Sequence, residues 1–310
     1  MVTYYNKERG PKGGILTMGT FDGVHHGHRR ILHSTRAWAD RLCTFAEAWI
    51  FHPHPRTVLR NEQVPLITSI EERIALLHHE GIQVTRVISF TSAVAYLSAE
   101  AFIQEWIKAV ANPQGIVLGH DHRFGRNREG NANLLIQKGI PIHQEQAEQR
   151  EGRAISSSWI RELIQTGKME KVHNLLGYPF TVRGTVHPGK GEARTLAVPT
   201  ANLSYPPEKP CPPFGVYVGW AALHEIQPLP VSQGIPALLY LSPARELEVH
   251  LLEGHYSNLY GTSIAVGFLA YMRPHIPFSS IEEISEKIQE DLHKAHSYFA
   301  ELRPSARQLE

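Results

Sequence analysis

The sequence predicts an α/β N-terminal domain built on a parallel sheet, followed by a small antiparallel β-barrel with a terminal helix. Three observations predict it. The first half alternates short apolar runs with helix-like segments, the pattern of strand, crossover helix and strand in a covered parallel sheet. Beyond Gly177 the texture changes to strand-like runs separated by Pro/Gly turns, the spacing of a small barrel. The chain then closes with an amphipathic stretch from Ser280 to about Leu302. A boundary near Gly177 follows, with domains over 1–176 and 177–310.

In chain order, the apolar run Gly14–Met18 predicts a buried strand and Arg29–Asp40 a helix. Phe45–Phe51 is strand-like and runs into the turn His52-Pro53-His54-Pro55. Ser69–Glu80 carries Ile70, Ile74, Leu76 and Leu77 at helical spacing. Val84–Phe90 is a β-branched run, Ala99–Val110 is helical, and Ile116–Leu118 feeds a loop from Gly119 to Asn131. Ser156 to Ser158 are cap candidates for a helix to Ile164. A second short helix spans Lys168–Leu176 before Gly177-Tyr178-Pro179 breaks the pattern. Strands are expected at Phe180–Val186, Val216–Ala222, Ala237–Leu241, Glu246–Leu252 and Ser263–Tyr271. In a parallel sheet ligands bind beyond the carboxyl ends of the strands. The loops at 19–28, 52–56 and 119–126 all follow strand-like runs and can share one mouth.

The chain has 310 residues, 42% hydrophobic and 20% charged, with a formal net charge of +1. A charge that small exerts no general pull on nucleic acid or anionic lipid, so neither partner is expected and phosphate chemistry must come from local sites. Cys43 and Cys211 are far apart and form no CxxC pair, which fits a reducing compartment rather than a disulfide framework. Met1 to Gly14 is polar without a signal-peptide core, and no apolar run approaches the roughly 20 residues of a membrane span. A cytoplasmic protein is expected. Nothing in the sequence fixes an oligomeric state.

The segment richest in chemistry is Gly19-Thr20-Phe21-Asp22-Gly23-Val24-His25-His26-Gly27-His28. It lies where a strand ends and a helix begins. Unpaired backbone N–H groups and the helix dipole favour an anion there. His25 and His28, three residues apart around Gly27, can face one ligand and donate to charge developing on a phosphate. These features point to a nucleotide-handling enzyme. Two other readings stay open for the segment alone. One is a polar turn with surface histidines. The other is a metal site of His25, His26 and His28, which lacks a nearby carboxylate or cysteine to complete a tetrahedral set.

Three further segments bear on it. Phe51-His52-Pro53-His54-Pro55-Arg56 leaves one strand, and Gly119-His120-Asp121-His122-Arg123-Phe124-Gly125-Arg126 leaves another. Ile155-Ser156-Ser157-Ser158-Trp159-Ile160-Arg161 places hydroxyls at a helix start and an arginine one turn in. In this order the four segments resemble the N-terminal half of the prokaryotic bifunctional riboflavin kinase/FAD synthetase family. That family reads approximately GxFDGVHxGH, F-D/E-P-H-P, G-x-D/N-F-x-F-G and S-S-S/T-x-I/V-R. This chain has GTFDGVHHGH, FHPHP, GHDHRFG and SSSWIR.

The resemblance implies a Rossmann-like nucleotidylyltransferase module that transfers AMP from ATP to FMN, giving FAD and pyrophosphate. It implies that His25 and His28 contact the ATP phosphates, and that Ser157, Ser158 and Arg161 hold the β- and γ-phosphates. Asp121 falls at a flavin- and adenine-side position. Gly19, Phe21, Asp22, Gly23, Gly27, His54, Arg123 and Phe124 fall at further binding positions. Two residues depart from the pattern: His52 replaces an acidic residue and His122 an aromatic one.

In the second half, Pro199-Thr200-Ala201-Asn202 is similar to the PTAN motif of the riboflavin kinase module. Pro213-Phe214-Gly215-Val216-Tyr217 and Glu246-Leu247-Glu248-Val249-His250 are similar to two of its strands. The resemblance implies that Thr200 and Asn202 coordinate Mg²⁺ with ATP and that Glu248 is the base on the riboflavin hydroxyl. It also puts Gly189, Lys190 and Tyr217 at ligand-binding positions. The phosphate loop departs from the family. Alanine stands at two glycine positions, Ala193 and Ala197, and Glu192 stands at a basic one. A Cβ obstructs close phosphate approach, and a carboxylate there repels the phosphate. Riboflavin phosphorylation is therefore expected only if this altered loop is competent. The alternative is FAD synthesis alone, with the second half a flavin-binding or dimerising module.

Overall fold

The computed structural model describes residues 1–189, 200–223, 229–254, 256, 259–277 and 280–302. The chain divides into two compact units, Met1–Trp159 and Ile160–Glu310.

The first unit is organised by a six-stranded parallel sheet. Its strands are β1 (Val2–Tyr5), β2 (Ile15–Gly19), β3 (Ala46–His52), β4 (Val84–Ser89), β5 (Gly115–Gly119) and β6 (Ile142–Glu145), in the order β1-β4-β3-β2-β5-β6. All five pairings are parallel. The central strands are buried along nearly their whole length, as a sheet covered on both faces requires. Strand order reverses between β2 and β5, and that crevice is where an open α/β sheet binds ligands. The edge strands β1 and β6 have no clear sequence signal, because each is short and partly exposed.

Helix α1 (His26–Arg41) follows β2 and buries Leu32, Thr35 and Ala39. A short helix α2 (Pro55–Arg60) follows β3, capped by His54. Helix α3 (Ile70–His79) opens with a reciprocal capping box between Ser69 and Glu72, which satisfies two otherwise orphaned N–H groups. The short helices α4 (Ser92–Ala95) and α5 (Ala99–Phe102) lead into a π-helix over Ile103–Ala111. The helical expectation at 99–110 therefore holds, but its second part is wound more loosely. Trp49 packs edge-on to Phe102 and Trp106, each with ring centroids 6.4 Å apart, at the heart of this core. Helix α6 (Ala132–Gln137) precedes β6, and a hairpin of β7 (Gln149–Arg150) and β8 (Arg153–Ala154) precedes α7 (Ser157–Gln165).

The second unit contains α8 (Met169–Leu176) and a six-stranded antiparallel sheet. Its strands are β9 (Phe180–Thr185), β10 (Ala201–Ser204), β11 (Gly215–Leu223), β12 (Ile235–Leu241), β13 (Glu246–Leu251) and β14 (Ser263–Pro274). They follow the order β10-β13-β12-β11-β14-β9. An isolated antiparallel bridge between His187 and Asn202 brings the two ends of this order together into a near-closed barrel. Helix α8 ends at Gly177 with φ +77° and packs on β9 and β14, so it clusters with the barrel. Helix α9 (Ile281–Leu302) lies on the barrel through Phe299 on Trp220, ring centroids 4.8 Å apart. Arg273 and Asp291 join the two with a buried fork of hydrogen bonds. No helix among the described residues is long and apolar enough to cross a membrane.

Candidate active sites

The segment after β2 turns through three residues with left-handed backbone: Phe21 (φ +48°), Gly23 (φ +82°) and Val24 (φ +34°). It then enters α1. His25 is the N-cap, and its Nδ1 accepts the backbone N–H of His28 at 3.3 Å. A ring nitrogen that accepts carries no proton, so neutral His25 bears its proton on Nε2. The rings of His25 and His28 stack with centroids 3.7 Å apart, and Phe21 meets His28 edge-on at 5.2 Å. Burial holds His28 well below the ordinary imidazole range, helped by His25 and Arg73. His28 is therefore neutral near pH 7 and meets a ligand as a hydrogen-bonding group, without a full charge. Parallel stacking also keeps the two rings from converging on one ion. Among the described residues no group of three or more His, Cys, Asp or Glu is placed to hold a metal.

Gly27 sits in the first turn of α1, where a Cβ would stand 3.2 Å from the His25 ring and 3.7 Å from the Ile155 carbonyl oxygen. A side chain there would press on the His25 ring by a few tenths of an ångström, and glycine avoids this. Gly19 ends β2. Asp22 is fully buried, and its carboxylate turns inward to the backbone N–H groups of Ile67 and Thr68. Its own carbonyl oxygen accepts the Ser157 hydroxyl at 2.9 Å. That bond carries the start of α7 to the turn after β2. Ser158 lies beside it, and Arg161, one turn along α7 and 8% exposed, shares the helical face of Ser157.

The other predicted residues divide by burial. His54 caps α2, its Nδ1 accepting the Arg56 N–H. Asp121 is exposed and near His120, and Arg123 is exposed too. Phe124 is 8% exposed and packs on Phe102, so it belongs to the core beneath this loop. His122 is half-buried, with its Nε2 shut from solvent and unpartnered. Burial pushes its pKa down to about 4. Sequence reasoning passed over Thr68 and Arg73, both buried beneath the turn. Their one visible signal is the capped helix start Thr68-Ser69-Ile70-Glu71-Glu72-Arg73, which reads as ordinary capping.

In the barrel, Asn202 on β10 stands opposite Glu248 on β13. Thr200 immediately precedes β10. The Asn202 amide lies over Gly189, where a Cβ would come within 2.6 Å of its Cγ. The Asn202 and Glu248 side chains thus share one face, with the backbone of Gly189 against the amide and Thr200 next along the chain. Hydroxyl, amide and carboxylate oxygens are the donor set a hard cation takes, so these residues fit Mg²⁺. Tyr217 sits elsewhere. It is fully buried, meets Phe268 edge-on and Tyr271 at a tilt, and donates its hydroxyl to the Pro213 carbonyl. Burial, with Tyr271 beside it, raises its pKa. Lys190, Glu192, Ala193 and Ala197 lie outside the described residues.

Both halves of the chain match known families. The FAD synthetase family model matches residues 7–159, and the riboflavin kinase family model matches residues 176–299. The chain is 30% identical over 299 residues to a bifunctional riboflavin kinase/FMN adenylyltransferase of Bacillus subtilis, covering 93% of each chain. It is 31% identical over 310 residues to the protein of that name from Escherichia coli K12, covering 97% of this chain and 98% of the relative. Among solved structures, a Streptococcus pneumoniae chain described as a macrolide-efflux protein superposes with a TM-score of 0.82 at 24% identity. It covers 96% of this chain and 99% of its own, a likeness of fold. By sequence relationship over nearly its whole length, the chain belongs to the bifunctional riboflavin kinase/FMN adenylyltransferase family.

Proposed function

We propose that residues 1–176 transfer AMP from ATP to FMN and that residues 177–310 phosphorylate riboflavin to FMN. One observation carries the first activity: the neutral, stacked pair His25 and His28 at the start of α1, beyond β2 and at the point where strand order reverses. In this reading an FMN phosphate oxygen attacks the α-phosphorus of ATP. The bond from that phosphorus to the bridging oxygen of the β-phosphate breaks, and pyrophosphate leaves. No covalent enzyme intermediate is needed, so the chain's work is positioning and charge stabilisation. His25 and His28 donate to the phosphates as charge shifts, and Ser158 and Arg161 hold the leaving group. Arginine's planar fork suits phosphate oxygens. Ser157 acts from its bond to the Asp22 carbonyl. Asp121, Arg123 and His54 edge the flavin and adenine.

The second activity is supported by the register of Asn202 against Glu248 and by the space kept at Gly189. Glu248 takes the proton from the riboflavin hydroxyl that attacks the γ-phosphorus, the bond from that phosphorus to the β,γ-bridging oxygen breaks, and ADP leaves. Thr200 and Asn202 would hold Mg²⁺, which when bound offsets negative charge on the phosphates. ATP, FMN and riboflavin are thus substrates, and a cytoplasmic location suits a consumer of ATP.

The test is product chromatography with FMN and riboflavin offered separately, each with ATP and Mg²⁺. FAD from FMN supports the first activity and FMN from riboflavin the second. Failure to form FAD overturns the first, and failure to form FMN leaves the barrel as a flavin-binding module.

A further inference from the structure

The turn before His25 is costly to hold. Phe21 and Val24 both have left-handed backbone. Residues with side chains are strained in this conformation, and a β-branched valine is an outlier there. Such a conformation persists only where its surroundings over-determine it. Those surroundings are the start of α3, 45 to 51 residues further along the chain.

Asp22 stands in the middle of the turn, 0% exposed. Its carboxylate accepts the N–H of Ile67 at 3.1 Å, the N–H of Thr68 at 3.0 Å and the Thr68 hydroxyl at 3.1 Å. Arg73, 1% exposed, donates from Nη2 to the same carboxylate at 3.2 Å and to the Thr68 carbonyl at 3.0 Å. The Thr68 hydroxyl oxygen in turn accepts the N–H of Gly23 at 2.9 Å. Every part of this knot is buried, and its bonds run from the strained turn to the capped start of α3.

We infer that Arg73, with Thr68, is a positioning residue for adenylyl transfer: by clamping Asp22 and Gly23 it holds the turn that delivers His25 and His28. The inference rests on the adenylyltransferase reading and deepens it. Its role is distinct from that of an ordinary core ion pair because both ends of the clamp lie within three residues of His25. Burial lowers the pKa of both His28 and His52, and the charge of Arg73 lowers each further.

The test uses the full chain with Arg73→Met, Arg73→Lys and Thr68→Val. Each variant is assayed for FAD formation well below its own unfolding midpoint. Arg73→Met is expected to lower kcat at least tenfold while KM for ATP and for FMN stays within about threefold. Arg73→Lys, which keeps the charge but loses the fork, should recover part of the loss. Thr68→Val keeps the ion pair and removes the acceptor for Gly23, so kcat should fall again by a smaller factor. This second variant carries the test if Arg73→Met does not fold. A kcat within twofold of the parent in the folded variants, or a loss confined to KM, overturns the inference. Failure of the underlying reading looks different: the parent chain itself makes no FAD. In that case the imidazole ¹⁵N shifts of His28 decide, because Arg73→Met should move them and unmoved shifts overturn the clamp.

Discussion

His25 and His28 lie face to face, ring centroids 3.7 Å apart and planes 16° from parallel, with His25 also capping the helix through the N–H of His28. The pair is one unit: the cap fixes the first ring, the first ring supports the second, and burial keeps the second neutral. Truncating His28 to alanine removes a stacked donor and leaves the cap to its backbone N–H. Loss of one orienting donor in a site of this kind costs about 2.7–4 kcal/mol of barrier, or 10²- to 10³-fold in rate. His28→Ala is expected to lose FAD synthesis by that factor, with riboflavin phosphorylation and thermal unfolding little changed. Steady-state rates on FMN and riboflavin check it.

His122 makes stability depend on pH. Its pKa is 6.5 in an ordinary environment and about 4 when buried in the fold. Between these values the unfolded chain binds the proton and the folded chain does not, so stability falls as pH drops from about 6.5 towards 4. Above 6.5 the imidazole is neutral in both states and the effect vanishes. His122→Phe removes the unpartnered Nε2 and its titration. The variant should unfold at a higher temperature than the parent at pH 5, with a smaller difference at pH 7.5. Thermal melts at the two values measure it.

Gly189 tests the barrel site. An added Cβ would come within 2.6 Å of the Asn202 Cγ, so the amide must move. Asn202 is short and anchored on β10, with its carbonyl bonded to the His187 N–H, and little slack exists to absorb the shift. Gly189→Ala is expected to slow FMN formation from riboflavin at least tenfold, equivalent to about 1.4 kcal/mol of barrier, while FAD formation from supplied FMN stays unchanged. Separate assays of the two products decide it.

The terminal helix is held by charge as well as by Phe299. Arg273 donates from Nε and Nη2 to Asp291, which is 2% exposed. Removing one member of a buried pair leaves the other uncompensated, at a cost of about 3 kcal/mol at the lower end of the usual range. Asp291→Ala should lower barrel stability by roughly that amount, read from denaturant midpoints at constant slope. The double variant Asp291→Leu with Arg273→Met should recover part of it.

Much of both sites was legible in the chain because their signals are local. GTFDGVHHGH, SSSWIR and PTAN each compress a turn, a cap or a strand edge into a few adjacent residues. The strands β2, β3, β4 and β5 were legible for the same reason, since buried parallel strands leave unbroken apolar runs. The short edge strands β1 and β6 were not, because edge strands carry mixed polarity. Nor was β10, whose four residues overlap the PTAN motif and pair with β13 from more than 40 positions away. The looser winding of Ile103–Ala111 leaves no mark in a periodicity that suits either kind of helix.

By itself, the sequence determined the fold class, the family and the turn that carries His25 and His28. The tertiary structure alone decided which motif residues face inward. Asp22 and Phe124 sit within binding motifs, yet one is clamped beneath the turn and the other packs into the core. Tyr217 is likewise enclosed in the barrel. The same holds for Thr68 and Arg73, whose importance lies in bonds to residues 45 to 51 positions away. The physical reason is range. Caps, turns and periodicity act between neighbours in the chain, whereas the burial of a charge and the partner that offsets it depend on which distant segment the fold brings alongside.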